Sequence, residues 1–253
     1  MNSATEAIRA EKLVKAFGSV SALAGVSLTV AWGETLGILG DNGAGKSTLI
    51  KILTGYHQPD GQVFVERKPV QLASVDDARA LGIECVYQDL ALVNGLSIYH
   101  NMFLNRELLR RWPLRLLDHR EMRRRAAEAL AEIGVDVPSV ELEVGALSGG
   151  QRQAIAVARA VYSKARILLL DEPLAAMGAR EARLIIGLIE RLRARGDIAI
   201  VMIAHNYAQT LEICDRVVLM QHGEITFESQ AAATSAEELL EIVRREYRAV
   251  RTG

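Results

Sequence analysis

The segment Gly40-Asp41-Asn42-Gly43-Ala44-Gly45-Lys46-Ser47-Thr48 fits the spacing GxxxxGK[ST] and lies between an apolar run, Thr35 to Leu39, and a helical stretch, Ser47 to Leu53. Strand, glycine-rich turn and helix in that order make a phosphate-binding loop. Glycines let consecutive backbone N–H groups turn toward a polyphosphate, and the start of the helix adds positive potential. Lys46 can reach the β- and γ-phosphates, and the Ser47 hydroxyl can hold Mg²⁺. A turn that served packing alone would have no use for a lysine and a hydroxyl at these two positions.

The rest of the chain reads as α/β. Its 253 residues suit one large domain or a core with an inserted subdomain. Ile8 to Val14 and Ser27 to Val30, punctuated by Gly18, Gly25 and Gly33, suggest antiparallel strands, and Gln62 to Val70 alternates again. Ser74 and Asp77 have capping-box spacing for a helix to Leu81, and Ile83 to Tyr87 reads as a strand. From Asp89 to Val161 strand signals almost vanish and Leu117 to Ile133 is strongly helical, so an inserted helical subdomain is expected. Ile167 to Leu170 and Ile198 to Ile203 are further buried strands, separated by a helix with Leu184, Ile185, Leu188, Ile189 and Leu192 on one face. A hairpin, Val217 to Met220 and Glu224 to Phe227, precedes a helix capped by Ser235 and ending near Tyr247. The expected division is a core with a β subdomain (1–88 and 162–230), a helical subdomain (89–161) and a C-terminal helix and tail (231–253).

Charge and cysteine content exclude several classes. Thirty basic residues against 31 acidic ones leave a net charge of −1, without the basic excess of many nucleic-acid binders. Cys85 and Cys214 stand singly in apolar stretches, which fits buried thiols in a reducing cytoplasm better than a disulfide or zinc site. No run approaches the roughly 20 apolar residues of a membrane-spanning helix, and no signal peptide is visible, so a membrane role would come through a partner.

Two more segments carry chemistry. The strand ending Leu170-Asp171-Glu172 offers adjacent carboxylates: Asp171 can bind Mg²⁺, and Glu172 can orient or deprotonate a water attacking the γ-phosphate. Leu147-Ser148-Gly149-Gly150-Gln151 opens an Ala- and Val-rich helix, presenting a hydroxyl and N–H groups at a second helix start.

The phosphate loop, LSGGQ and LLLDEP, in this order and spacing, resemble the nucleotide-binding subunit of an ATP-binding cassette (ABC) transporter, and the likeness runs from about Ile8 to Phe227. It implies a phosphate-loop NTPase (RecA-like) core with an antiparallel β subdomain and an inserted α-helical subdomain, using ATP and Mg²⁺. By the same resemblance Phe17 stacks on adenine, though a packing phenylalanine is the alternative there. Gln88 approaches Mg²⁺ and water, His205 contacts the γ-phosphate, and Leu147 to Gln151 of one subunit face the ATP held by its mate. A head-to-tail homodimer is therefore implied, working with integral membrane permease subunits at the cytoplasmic face of a bacterial inner membrane.

The stretch Val86 to Val93, with Ser97-Ile98 and Asn101 to Leu104, and the loop start Gly40-Asp41-Asn42-Gly43 are similar to importers of ribose, xylose and fructose. That implies a pentose or hexose as cargo and, indirectly, a periplasmic sugar-binding protein. Two positions depart from the family: Leu174 stands for the usual Thr or Ser, and Gly178 for an Asp that helps couple the paired sites; Gly178 resembles the sugar-import members. Between Asn105 and Arg125, eight arginines against three acids suit either a solvated face or a surface that docks on a membrane protein or its lipids. The competing readings are an ABC ATPase for another cargo, a non-transport ABC ATPase acting on nucleic acid or the ribosome, and a binding-only cassette.

Overall fold

The structure, a computed structural model, describes residues 5–110, 116–175 and 177–251, with 246–251 by backbone alone. Arg111, Arg115 and Ala176 lie outside the described residues. The chain opens with β1 (Glu6–Phe17) and β2 (Val20–Ala31), longer than their apolar pieces predict, followed by β3 (Thr35–Leu39) and α1 (Lys46–Leu53). Next come β4 (Asp60–Val65), β5 (Lys68–Val70), α2 (Val75–Ala80) and β6 (Ile83–Val86). Ser74 accepts the Asp77 N–H at 3.2 Å, the serine half of the expected capping box.

Three helices then follow, with no extended strand between them among the described residues: α3 (Ile98–Met102), α4 (His119–Glu132) and α5 (Gly149–Tyr162). Asp118 caps α4 by accepting the Glu121 N–H at 3.1 Å, which explains why the helix starts where it does. The chain ends with β7 (Ile167–Asp171), α6 (Ala179–Ala194), β8 (Ala199–Ile203), α7 (Tyr207–Ile213), β9 (Arg216–Gln221), β10 (Glu224–Gln230) and α8 (Ala236–Arg251). Ser235 accepts the Glu238 N–H at 3.1 Å at the start of α8, as expected.

Two sheets form. One is antiparallel, in the order β2-β1-β4-β5; the other runs β10-β9-β3-β8-β7-β6, parallel throughout except for the β9–β10 hairpin. The continuous apolar runs of β7 and β8 exist because both faces are covered. Leu168, Leu170, Ile200 and Met202 point into a core shared with α5 and α6, whereas Ile167, Leu169, Val201 and Ile203 point into one shared with α1 and the antiparallel sheet. Ile185, Leu188, Ile189 and Leu192 of α6 are fully buried, but Leu184, expected on the same face, is 36% exposed. At 100° per residue Leu184 falls just beyond the edge of the contact with the sheet.

This topology places the candidate site. β3, β8, β7 and β6 are consecutive neighbours and parallel, so the loops leaving their C-terminal ends emerge along one edge. Those loops carry Gly40 to Lys46, His205, Glu172 and Gln88.

Candidate functional site

The phosphate loop is held in shape by its neighbours. A Cβ on Gly40, whose φ is +143°, would stand 2.2 Å from the Met220 carbonyl oxygen, so only glycine fits where β3 turns away beside β9. The Ala44 N–H donates to the Asp41 carbonyl at 3.2 Å, and the Gly223 N–H of the β9–β10 turn donates to the Ala44 carbonyl at 3.1 Å. Gly45 occupies the N-cap of α1 without a side-chain cap, and Ser47 and Asn42 are exposed, so the start of the helix faces solvent with its N–H groups uncovered by side chains. Lys46 is buried, and its Nζ donates to the carbonyls of Gly40 at 2.7 Å and Asp41 at 2.8 Å. Burial pushes its ammonium below the usual lysine range, while Glu172, Asp41 and Asp171 pull the other way. A buried cation on a loop shaped by glycine is an arrangement that can receive an anion.

Asp171 ends β7, and Glu172 leaves it in the left-handed region with φ +51°, its N–H donating to the Ile203 carbonyl at 3.0 Å. Positive φ at a glutamate is uncommon and collects at working sites. The turn separates the two carboxyl groups and brings Glu172 Oε1 to 2.6 Å from His205 Nε2. Burial first, and then the like charge of Glu172, push the Asp171 carboxyl above the usual carboxylate range, against the pull of Lys46 and His205. Leu174, Ala175, Met177, Asn206 and Gln209 line the hollow beside the pair, so Leu174 gives it an apolar wall.

The segment Leu147 to Gln151 forms a complete capping box. Ser148 Oγ accepts the Gln151 N–H at 3.3 Å, and Gln151 Oε1 accepts the Ser148 N–H at 3.0 Å. The Gln151 side chain is thus spent inside its own turn, while Ser148 is exposed. Leu147 is buried, Gly149 half-buried, and Gly150 lies against the first turn of α6. A Cβ on Gly150 would come 2.8 Å from Glu181 Cβ and 3.2 Å from its Cα. Gly150→Ala is therefore expected to cost about 1–3 kcal/mol through overpacking, read as a lower midpoint in denaturant unfolding.

Phe17, at the end of β1, is 45% exposed, which fits a ring offered to a ligand better than a packing residue. His57 meets it edge-on with ring centroids 5.0 Å apart, and Tyr56 meets His57 at 5.0 Å. His57 carries no spacing signal, so its contact with Phe17 was not legible in the sequence. Gln88 is exposed two residues beyond β6. Arg159 of α5 donates to the Leu90 and Ala91 carbonyls, both at 2.9 Å, tying the segment after Gln88 to the helix that Ser148 caps.

The arginine excess of residues 105–125 is smaller in space than in sequence. Arg106 pairs with Glu84, Arg123 with Glu141, and Arg124 with Glu128, acids outside that window. Arg110 and Arg120 are exposed and have no ion pair among the described residues. Cys214 is buried with its thiol pushed up to about 12; Cys85 is half-buried rather than fully so, and burial raises its thiol too. Both are free cysteines.

Comparison with known proteins shows the family. The family described as ABC transporter matches residues 23–175. The chain is 45% identical to the xylose/arabinose import ATP-binding protein XylG of Sulfolobus acidocaldarius over 90% of both chains. It is 42% identical to the fructose import ATP-binding protein FrcA of Rhizobium meliloti over 85% of both. The ribose import ATP-binding protein RbsA of Chromobacterium violaceum is 37% identical over 90% of this chain, which spans 45% of that protein. A solved ATP-binding cassette of an ABC transporter in its ADP conformation shares the fold with TM-score 0.80 at 27% identity, over 94% of this chain and 95% of the other. With a glycine-shaped loop around a buried lysine, a strand-end carboxylate pair and a capped LSGGQ helix on one RecA-like α/β core, the chain belongs to the ABC transporter family as an ATP-binding cassette.

Proposed function

We propose that this chain is the ATP-hydrolysing subunit of an importer of simple sugars, acting as a head-to-tail homodimer at the cytoplasmic face of the membrane. The observation that carries the proposal is the Glu172–His205 contact of 2.6 Å on the same sheet edge as Lys46, in a chain 45% identical to a xylose/arabinose import ATP-binding protein. In this reading Gly40, Asp41, Asn42, Gly43, Ala44, Gly45, Lys46, Ser47 and Thr48 wrap the phosphates, and Phe17 takes the adenine ring. His205 holds the Glu172 carboxylate toward the water that Glu172 orients or deprotonates.

The donor set also fits a hard cation. Ser47, Gln88 and Asp171 offer hydroxyl, amide and carboxylate oxygens, the ligand type Mg²⁺ takes. A bound Mg²⁺ would neutralise charge on the phosphate oxygens. Leu147, Ser148, Gly149, Gly150 and Gln151 of one copy complete the site of the other, because each chain has one phosphate loop and one LSGGQ turn. Arg159 gives the Gln88 segment a rigid tie to α5, so a change at the phosphates is passed into the helical part of the chain, where permease subunits would dock. No described helix is long and apolar enough to cross a membrane. A permease pair and, through it, a periplasmic sugar-binding protein supply the rest of the importer.

The test is uptake. With its permease in membrane vesicles, the chain should drive Mg²⁺- and ATP-dependent accumulation of a labelled pentose or hexose and release phosphate. Phosphate release without uptake across a panel of pentoses and hexoses would remove the cargo class, and retention on ribosomes or DNA in place of a permease would favour the non-transport reading.

A further inference from the structure

The LSGGQ helix start already holds an anion, supplied by the same chain. Ser148 and Gln151 satisfy each other in the capping box, which leaves the N–H groups of Gly149 and Gly150 for other partners. The Gly150 N–H donates to Glu181 Oε1 at 3.4 Å, and both carboxylate oxygens lie 3.9 Å from where a Gly149 Cβ would sit. Glu181 belongs to the first turn of α6, three residues after its N-cap, Gly178, which provides no side-chain cap of its own. The Gly150 N–H first, then the Ser148 hydroxyl and the Gly178 N–H, hold the Glu181 carboxyl below the usual carboxylate range, so it is ionised at neutral pH. One carboxylate therefore joins the LSGGQ turn to the first turn of α6, whose N-cap Gly178 stands six residues after Glu172 in sequence.

We propose that Glu181 is an internal stand-in for phosphate, occupying the Gly150 N–H in the single subunit until the ATP of a partner copy displaces it. This inference rests on the paired reading above. A triphosphate arriving at Ser148 and Gly149 meets a resident negative charge, and two anions cannot share one donor without a cost in like-charge repulsion. Gly150 lets α6 pack so closely that the two helix starts do not need to part; the Glu181 side chain swings out instead, and its bond to the Gly150 N–H is lost. Binding at the LSGGQ turn is in this way felt at the start of α6, on the segment that leads back to Glu172. Glu181 acts on the reaction through other groups, as a positioning residue.

The experiment is an ATP titration of dimer formation by light scattering in the Glu172→Gln background, with and without Glu181→Gln. The near-isosteric amide keeps the shape and removes the charge. Removal of the repulsion is expected to lower the ATP midpoint about tenfold, with a difference that shrinks in high salt. A purely structural Glu181 would give the opposite sign: a lower melting temperature and a higher midpoint. An unchanged or raised midpoint overturns the latch while leaving the paired site intact. Failure of the Glu172→Gln chain itself to dimerise with ATP overturns the paired reading and the latch together.

Discussion

Glu172→Gln is expected to lower Mg²⁺-dependent phosphate release by about 10²- to 10⁴-fold, the range that a positioned general base contributes, while ATP binding survives. The geometry separates the two effects. Glu172 leaves β7 with φ +51° and spends its carboxylate on His205 at 2.6 Å, whereas the phosphate loop is shaped by Gly40, Gly45 and the β9–β10 turn, and Glu172 acts on that loop only through the charge it sets near Lys46. An amide still accepts from or donates to His205, so the turn is preserved, but it cannot take a proton from water. ATP that binds and is not cleaved should hold two copies together, so the variant is expected to elute as a dimer with Mg²⁺ and ATP and as a monomer without. Turnover within threefold of the parent would show that the base lies elsewhere, and His205 would become the first alternative.

Lys46→Ala is expected to weaken ATP binding about 10²-fold, as follows from losing charge-assisted hydrogen bonds of roughly 1.5–3 kcal/mol each. Its Nζ now donates to the carbonyls of Gly40 and Asp41, so the ammonium is already positioned inside the loop. Burial lowers its tendency to stay charged, and the three nearby carboxylates of Glu172, Asp41 and Asp171 offset part of that loss. Removing the side chain also leaves the Gly40 carbonyl without that donor, which costs folding stability as well. Lys46→Arg separates charge from shape: a planar guanidinium replaces the compact ammonium that bonds the Gly40 and Asp41 carbonyls, and the variant should bind ATP nearly as poorly as alanine. Isothermal titration with ATP checks both. Parent-like affinity in Lys46→Ala would remove the phosphate loop from the reading.

The candidate site was unevenly legible. Lys46, Asp171 and Glu172 could be named because their chemistry sits in short contiguous patterns whose spacing is set by a strand, a turn and a helix start. His205 and Gln88 could be named only by resemblance, since a lone histidine or glutamine after an apolar strand carries no pattern of its own. His57 and Glu181 were not found. Each gains its place from a contact across separate elements: His57 against Phe17 with centroids 5.0 Å apart, and Glu181 against Gly150 at 3.4 Å. The nearest signal for Glu181 was its position three residues after a helix N-cap, which reads as ordinary capping.

Local pattern determined which residues become strand, loop or helix: Leu36, Ile38 and Leu39 in the short buried run from Thr35 to Leu39, glycines such as Gly40 and Gly223 at turns, and Asp118, Ser148 and Ser235 where helices begin. These are short-range preferences of backbone and side chain, and they survive in any context that buries the apolar face. Tertiary structure decided what those elements do to one another. Strand order put four loops on one sheet edge, acids from outside the arginine-rich window neutralised part of its charge, and packing of α5 on α6 put a carboxylate on the LSGGQ turn. Contacts between distant residues depend on which elements become neighbours, and that is set by how the whole apolar surface is buried at once.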